Sequence, residues 1–114
     1  MIDYGAGDGW WSHTFKQIGG DEAQCYAVEM DAIAGDHIPE DVYFVQHDLR
    51  LPLTDLQGAF DLVMCLEVAE HLPKHLARNV LLATLAKSTE QNMLFSAAQP
   101  GQEGTGHINL QSLN

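Results

Sequence analysis

Five short apolar runs, 1–4, 24–29, 42–48, 60–66 and 92–97, alternate along the chain with stretches of helical spacing or of turn residues. Runs this short, rich in Val, Tyr, Phe and Leu, read as strands. The first is the tail of one, because a buried parallel strand usually runs about 5–6 residues. The run 60–66 is apolar on both faces, as a central parallel strand must be. Between the runs, Trp10, Trp11, Phe15 and Ile18 form a stripe that predicts a helix, stopped by Gly19-Gly20. Gly35 and Pro39 limit any helix over 31–40 to a short one, and Pro52 marks 50–58 as loop with one helical turn. Pro73 suits the first turn of a helix, and Leu76, Val80, Leu81, Ala83, Leu85 and Ala86 keep one side apolar to about residue 87. From Gln99 the chain is polar and Gly-rich, a loop. Strands alternating with helices predict an α/β fold, a parallel sheet with crossover helices.

A sheet of that kind presents its ligand site at the carboxyl ends of its strands. Polar handles stand there after four consecutive strands: Asp3-Tyr4-Gly5-Ala6-Gly7-Asp8-Gly9, then Glu29, Asp48 and Glu67. Glycine enters positive-φ conformations freely and lets a ligand approach the backbone. An ionised carboxylate at Glu29 suits a ribose diol. Asp48 suits an exocyclic amine such as that of adenine. Asp3, inside the sheet beside the loop, suits loop amides or a ligand ammonium group. No Walker Lys or Ser/Thr follows the glycines, which disfavours a nucleoside triphosphate. The bland alternatives are a tight turn, a solvated strand end and a turn cap.

Composition narrows the partners. The 114 residues suit one domain, 1–114, and 46% hydrophobic content supports a real core. Sixteen acidic against five basic residues give a net charge of −11, which disfavours nucleic acid and anionic membrane and favours a cationic ligand. Cys25 and Cys65, both in apolar runs, read as buried free thiols of a reducing compartment. With no apolar run of membrane-spanning length and no leader, the expected location is the cytoplasm.

These residues resemble the class I S-adenosylmethionine-dependent methyltransferases. Ile2-Asp3-Tyr4-Gly5-Ala6-Gly7-Asp8-Gly9 is similar to the family's first motif, under the methionine part of the cofactor. Ala27-Val28-Glu29-Met30-Asp31 resembles the second, where the acid holds the ribose. Val45-Gln46-His47-Asp48-Leu49 resembles the third, where the Asp reads adenine. The run 60–68, opened by Phe60-Asp61, resembles the fourth. The resemblance implies a Rossmann-like three-layer sandwich and S-adenosylmethionine as cofactor, held by Asp3, Gly5, Ala6, Gly7, Glu29, Met30, Asp48, Leu49 and Glu67. The family's sheet has seven strands. Five are expected here, which implies a fold truncated at both ends and an exposed edge on the fifth strand, open to pairing with a second copy.

Glu67-Val68-Ala69-Glu70-His71 is the sharpest local feature. If a helical turn begins there, Glu67 and His71 share a face, with Glu70 beside them. Glu-x-x-Glu-His at this place resembles methyltransferases that use Mg²⁺ to bind a substrate's hydroxyls, and His107 would supply a fourth ligand. The metal expectation is thus Glu67, Glu70, His71 and His107; the alternative is two surface acids beside a metal-free base. His71, then His107, are the candidate bases for methyl transfer to an oxygen or nitrogen of a small molecule. Two other functions compete: a non-catalytic nucleotide-binding or dimerisation module, and an NAD-dependent oxidoreductase, which the G-x-G-x-G spacing disfavours.

Overall fold

The computed structural model describes residues 1–56 and 60–112, so Gln57 and Gly58 of the expected loop lie outside the described residues. Five strands, β1 (Ile2–Tyr4), β2 (Tyr26–Glu29), β3 (Tyr43–Gln46), β4 (Phe60–Leu66) and β5 (Thr89–Ser96), form one all-parallel sheet in the order β3-β2-β1-β4-β5. β1 is the hub: Ile2 pairs with Tyr26 on one side and Val63 on the other. The fold is the parallel α/β sheet that strand–helix alternation predicts and the Rossmann-like sandwich that the resemblance implies.

Side chains of a strand alternate between its faces, and the two apolar clusters follow that rule. On one face Ile2, Tyr4, Val28, Val63 and Cys65 pack against Ala77, Leu81 and Leu85. These last belong to a continuous helical stretch made of α3 (Lys74–Leu76), a π-helical turn (Ala77–Leu81) and α4 (Leu82–Ser88). The buried Tyr4 hydroxyl donates to Ser88 Oγ at 2.6 Å, because Ser88 Oγ already donates to the Thr84 carbonyl. On the other face Cys25, Ala27 and Val42 pack with Ala6, Phe15 and Ile38, beneath α1 (Trp10–Gly19) and beside α2 (Ala32–Gly35). Cys25 and Cys65 are buried free thiols, as expected.

Several boundaries and faces differ from the sequence reading. Three of the four stripe residues on α1 face solvent: Trp10, Trp11 and Ile18 are 67%, 58% and 79% exposed, while small Ser12 is buried and donates to the Tyr26 carbonyl. The sheet beneath α1 accepts only a small residue there and Phe15. Pro73 stands one residue before its helix, its ψ of 138° being extended. β2 starts at Tyr26, two residues later than the apolar run. β5 starts at Thr89, where the helix gives way directly to strand. Residues 50–56 form turns and carry no helical turn. Among the described residues no helix is long and apolar enough to cross a membrane.

Candidate functional site

The glycine loop folds over the end of β2. The Gly5 and Ala6 amides both donate to the Val28 carbonyl, and the Gly7 amide donates to Glu29 Oε2 at 3.1 Å. Gly5 has φ +78°, and a Cβ there would lie 2.3 Å from Val68 Cγ2. Glycine is therefore required twice over, by the backbone and by the side chain packed against it. Ala6 turns away from the loop's open side and packs with the cluster around Cys25.

Beside this loop, at the carboxyl ends of the strands, lies a cleft of about 320 Å³. Gly5, Glu29, Met30, Asp48, Leu49, Glu67 and His71, all singled out from the sequence, line it, together with Arg50, Val68 and Leu72. Two larger clefts lie elsewhere, one of about 520 Å³ at the amino ends of the strands and one of about 750 Å³ beside β5. Neither is lined by the acids that follow the strands.

The acids at the strand ends differ in state, and Asp3 does not itself line the cleft. Asp3, 3% exposed within β1, is pushed up to about 6, first by burial and then by the charge of Glu29. Glu29 is engaged by backbone: Oε1 accepts from the Met30 amide at 2.7 Å and Oε2 from that of Gly7. A carboxylate has about four acceptor positions, so capacity for a hydroxyl remains. Asp48 is gripped by Arg50, whose Nε and Nη2 donate to its two oxygens at 2.9 and 2.7 Å. Those bonds hold the Asp48 carboxyl down at about 2.

Around Glu70 the backbone departs from the expected helix. Glu67 leaves β4 with φ +57°, a left-handed conformation costly for a side-chain-bearing residue. Only a 3₁₀ turn, Ala69–His71, follows. Glu67 and His71 are thus not neighbours on one helix face. Glu67 Oε1 accepts from the Ser96 hydroxyl at 2.7 Å, which, with neighbouring Glu70, His107 and His71, lowers its carboxyl below the ordinary range.

Glu70 is no surface acid. It is fully buried; Oε1 accepts from the Ala98 amide at 3.0 Å, and Oε2 has no hydrogen-bond partner among the described residues. The loop after β5 straps across it: the Ile108 and Asn109 amides donate to the Glu70 carbonyl, and Asn109 Nδ2 to that of Ala69. His71 Nδ1 lies 3.1 Å from the Gly106 carbonyl, and His107 Nδ1 3.1 Å from that of Gln102. A carbonyl only accepts, so each Nδ1 carries the hydrogen and each neutral ring keeps its lone pair on Nε2. One donor atom from each of Glu70, His71 and His107 lies within 4.8 Å of the others. An unpartnered buried carboxylate oxygen beside two imidazoles oriented by carbonyls is a donor set that fits a divalent cation. Of the four expected ligands these three converge, while the Glu67 carboxyl is bonded to Ser96.

Sequence reasoning missed Arg50, Val68 and Ser96. Arg50 carried a legible signal, standing two residues after an acid at a strand end. Val68 and Ser96 did not, since their roles come from chain segments brought together by the sheet.

Comparison with known proteins follows the geometry. A search of curated proteins finds no match. Among solved structures the chain resembles LepI in complex with SAM, a protein described as a pericyclic reaction enzyme, and a LepI variant with SAH and a substrate analogue. Each is 16% identical with a TM-score of 0.66, over 90% of this chain and 28% of the other. The chain therefore spans little more than a quarter of those proteins, and the likeness is one of fold. A family model described as a methyltransferase domain matches residues 1–113. The chain belongs to the methyltransferase-domain family, with the class I fold.

Proposed function

We propose that the cleft binds S-adenosylmethionine and that the domain transfers its methyl group to an oxygen or nitrogen of a small-molecule substrate. One observation carries the reading: Gly5 of the glycine loop and the acids that follow β2, β3 and β4 line one cleft, with Asp3 buried in β1, in a domain of a methyltransferase family. The acids suit the parts of this cofactor in turn: Asp3 its ammonium, Glu29 its ribose, Asp48 its adenine amine. Solved structures of the same fold hold SAM and SAH.

Methyl transfer is an in-line displacement at the sulfonium carbon. The acceptor's lone pair forms the new bond as the C–S pair returns to sulfur, leaving a neutral thioether. Positioning supplies most of the acceleration. A hydroxyl or ammonium acceptor must also lose a proton, and the Nε2 lone pair of His71, with that of His107 second, is the available base.

Glu70, His71 and His107 would hold a divalent cation, with Glu67 beside them. Two imidazoles in the donor set suit a borderline transition ion better than Mg²⁺. Such an ion, when bound, supplies Lewis acidity that makes a ligated substrate hydroxyl easier to deprotonate. The histidines then serve as ligands and not as bases.

We also infer that two copies meet along the free edge of β5. That edge has one charged residue, Glu90, no proline, and exposed Met93, Leu94 and Phe95. Three of the chain's five cations, Lys74, Arg78 and Lys87, stand on the adjoining helical stretch, which has no acid. These cations offset part of the repulsion between two chains of charge −11.

A second reading, cofactor binding without methyl transfer, is favoured by the likeness to a protein described as a pericyclic reaction enzyme. Calorimetric titration with S-adenosylmethionine and S-adenosylhomocysteine tests both. Absence of binding by either sinks both readings. Binding without release of S-adenosylhomocysteine across a panel of hydroxyl and amine acceptors selects the second.

A further inference from the structure

Arg50 is the only lysine or arginine among the residues lining the cleft, and no motif assigns it. Its side chain, about half exposed, folds back onto Asp48. Nε lies 2.9 and 3.0 Å from Asp48 Oδ1 and Oδ2, Nη2 lies 2.7 Å from Oδ2, and the Arg50 amide donates to Oδ1 at 2.9 Å. Nη2 also approaches Met30 Sδ at 3.9 Å, across the same part of the cleft. The guanidinium is thus held flat against the carboxylate, between the ends of β2 and β3.

This arrangement has two chemical consequences. First, three N–H donors of Arg50 take three of the roughly four acceptor positions of Asp48, so a ligand amine must use the one that remains or exchange with an Arg50 bond. The pair is surface-accessible, with side chains 54% and 27% exposed, and exchanging one such bond costs little. Second, a guanidinium has five N–H groups and Asp48 takes only two. The remaining N–H groups sit beside the carboxylate, so Asp48 and Arg50 together present an acceptor next to a donor. Adenine's edge is the complement: its amino group donates, and the ring nitrogens that flank it, N7 and N1, accept. A carboxylate alone reads only the amino group.

We propose that Arg50 is a specificity-determining residue of the cofactor site, donating to the adenine ring nitrogen beside the amino group that Asp48 accepts. The pair then reads the purine as a doublet. It selects adenine over a 6-oxo purine, whose carbonyl would face the Asp48 carboxylate. The inference rests on the adenosyl reading of the cleft.

The test is a thermodynamic cycle on the whole chain, measured by calorimetry. Wild type, Arg50→Ala and Arg50→Lys are titrated with S-adenosylhomocysteine and with its 7-deaza and 1-deaza analogues. Losing a hydrogen bond to a charged donor weakens binding roughly tenfold. Expected are a loss of that size for Arg50→Ala with the parent ligand and for wild type with one deaza analogue. That analogue should then cost Arg50→Ala nothing more, and Arg50→Lys should fall between. Unchanged or tighter parent binding by Arg50→Ala overturns the proposal. So does a deaza loss that is equal in both proteins, which would leave Arg50 only positioning Asp48. If wild type binds none of the three, the adenosyl reading falls, and the proposal with it; binding by wild type separates the two failures.

Discussion

The rings of His71 and His107 stand edge to face with centroids 5.0 Å apart, although 35 residues of chain separate them. One comes from the turn after β4, the other from the strap after β5. Buried Glu70 lies with them, one of its carboxylate oxygens unpartnered among the described residues.

That relationship gives the first prediction. Mn²⁺ or Zn²⁺ should raise the melting temperature of wild type and should not raise that of Glu70→Gln. The metal-free Glu70→Gln protein should be at least as stable as wild type, because the amide removes a buried charge whose second oxygen is unpaired. Equal metal-induced shifts in the two proteins would remove the cation from the reading. Thermal unfolding with and without chelator is the measurement.

Asp3 gives a pH dependence of definite sign. In the folded, unliganded chain its carboxyl titrates near 6, against roughly 4 in an unfolded chain. Between those values the folded state holds the extra proton, so stability falls as pH rises from about 4 through about 6. The loss is of the order of 3 kcal/mol, two pKa units at about 1.4 kcal/mol each. Asp3→Asn should flatten this part of a denaturant-midpoint profile. Binding runs the other way. A ligand ammonium favours ionised Asp3, so affinity for S-adenosylmethionine should rise across the same window in wild type and not in Asp3→Asn. A flat wild-type profile would show that Asp3 is not the ammonium's partner.

Gly5 and Val68 should show coupled costs. Gly5→Ala meets both a positive φ and the Val68 methyl, and should destabilise by about 2 kcal/mol or more, the backbone alone costing roughly 1–2. Val68→Ala in the same chain should recover the steric part and leave the backbone part. Urea unfolding of the two single variants and the double resolves this. Strict additivity would mean that the two side chains do not meet.

The β5 edge predicts a dimer that one charge disperses. Sedimentation should find a dimer in wild type and a monomer in Leu94→Lys, since lysine on an edge strand opposes edge-to-edge pairing. A wild-type monomer at all concentrations would rule the edge contact out.

The parts of this molecule legible in the sequence are those set by short-range pattern. Alternation of strand and helix gave the parallel sheet, and an acid after each strand marked the cleft that Glu29, Asp48 and Glu67 line. Patterns of that kind carry direction only when one face is obligatorily buried. The stripe on α1 shows the limit: Trp10, Trp11 and Ile18 have helical spacing, yet the sheet's contact falls on Ser12 and Phe15. At the site, the helix expected from Glu67 to His71 failed because Glu67 is left-handed, held there by bonds to Ser96, 29 residues away. The burial of Glu70 was invisible for the same reason, since the segment that covers it follows a different strand.

The strap over Glu70 stands apart from the pairing of the central strand. β1 is complete in its pairing once residues up to Met64 are in place, and neither of its ladders involves the strap. The turn bearing Glu70 is held by amides of Ala98, Ile108 and Asn109, which come last in the chain. Scaffold and chemistry are therefore separable. Lifting the strap would take His107 and the bonds to Glu70 away while leaving both ladders of β1 in place. Amide hydrogens of Ala98, Ile108 and Asn109 should exchange together and ahead of those of β1, marking the site as a latch that opens without global unfolding.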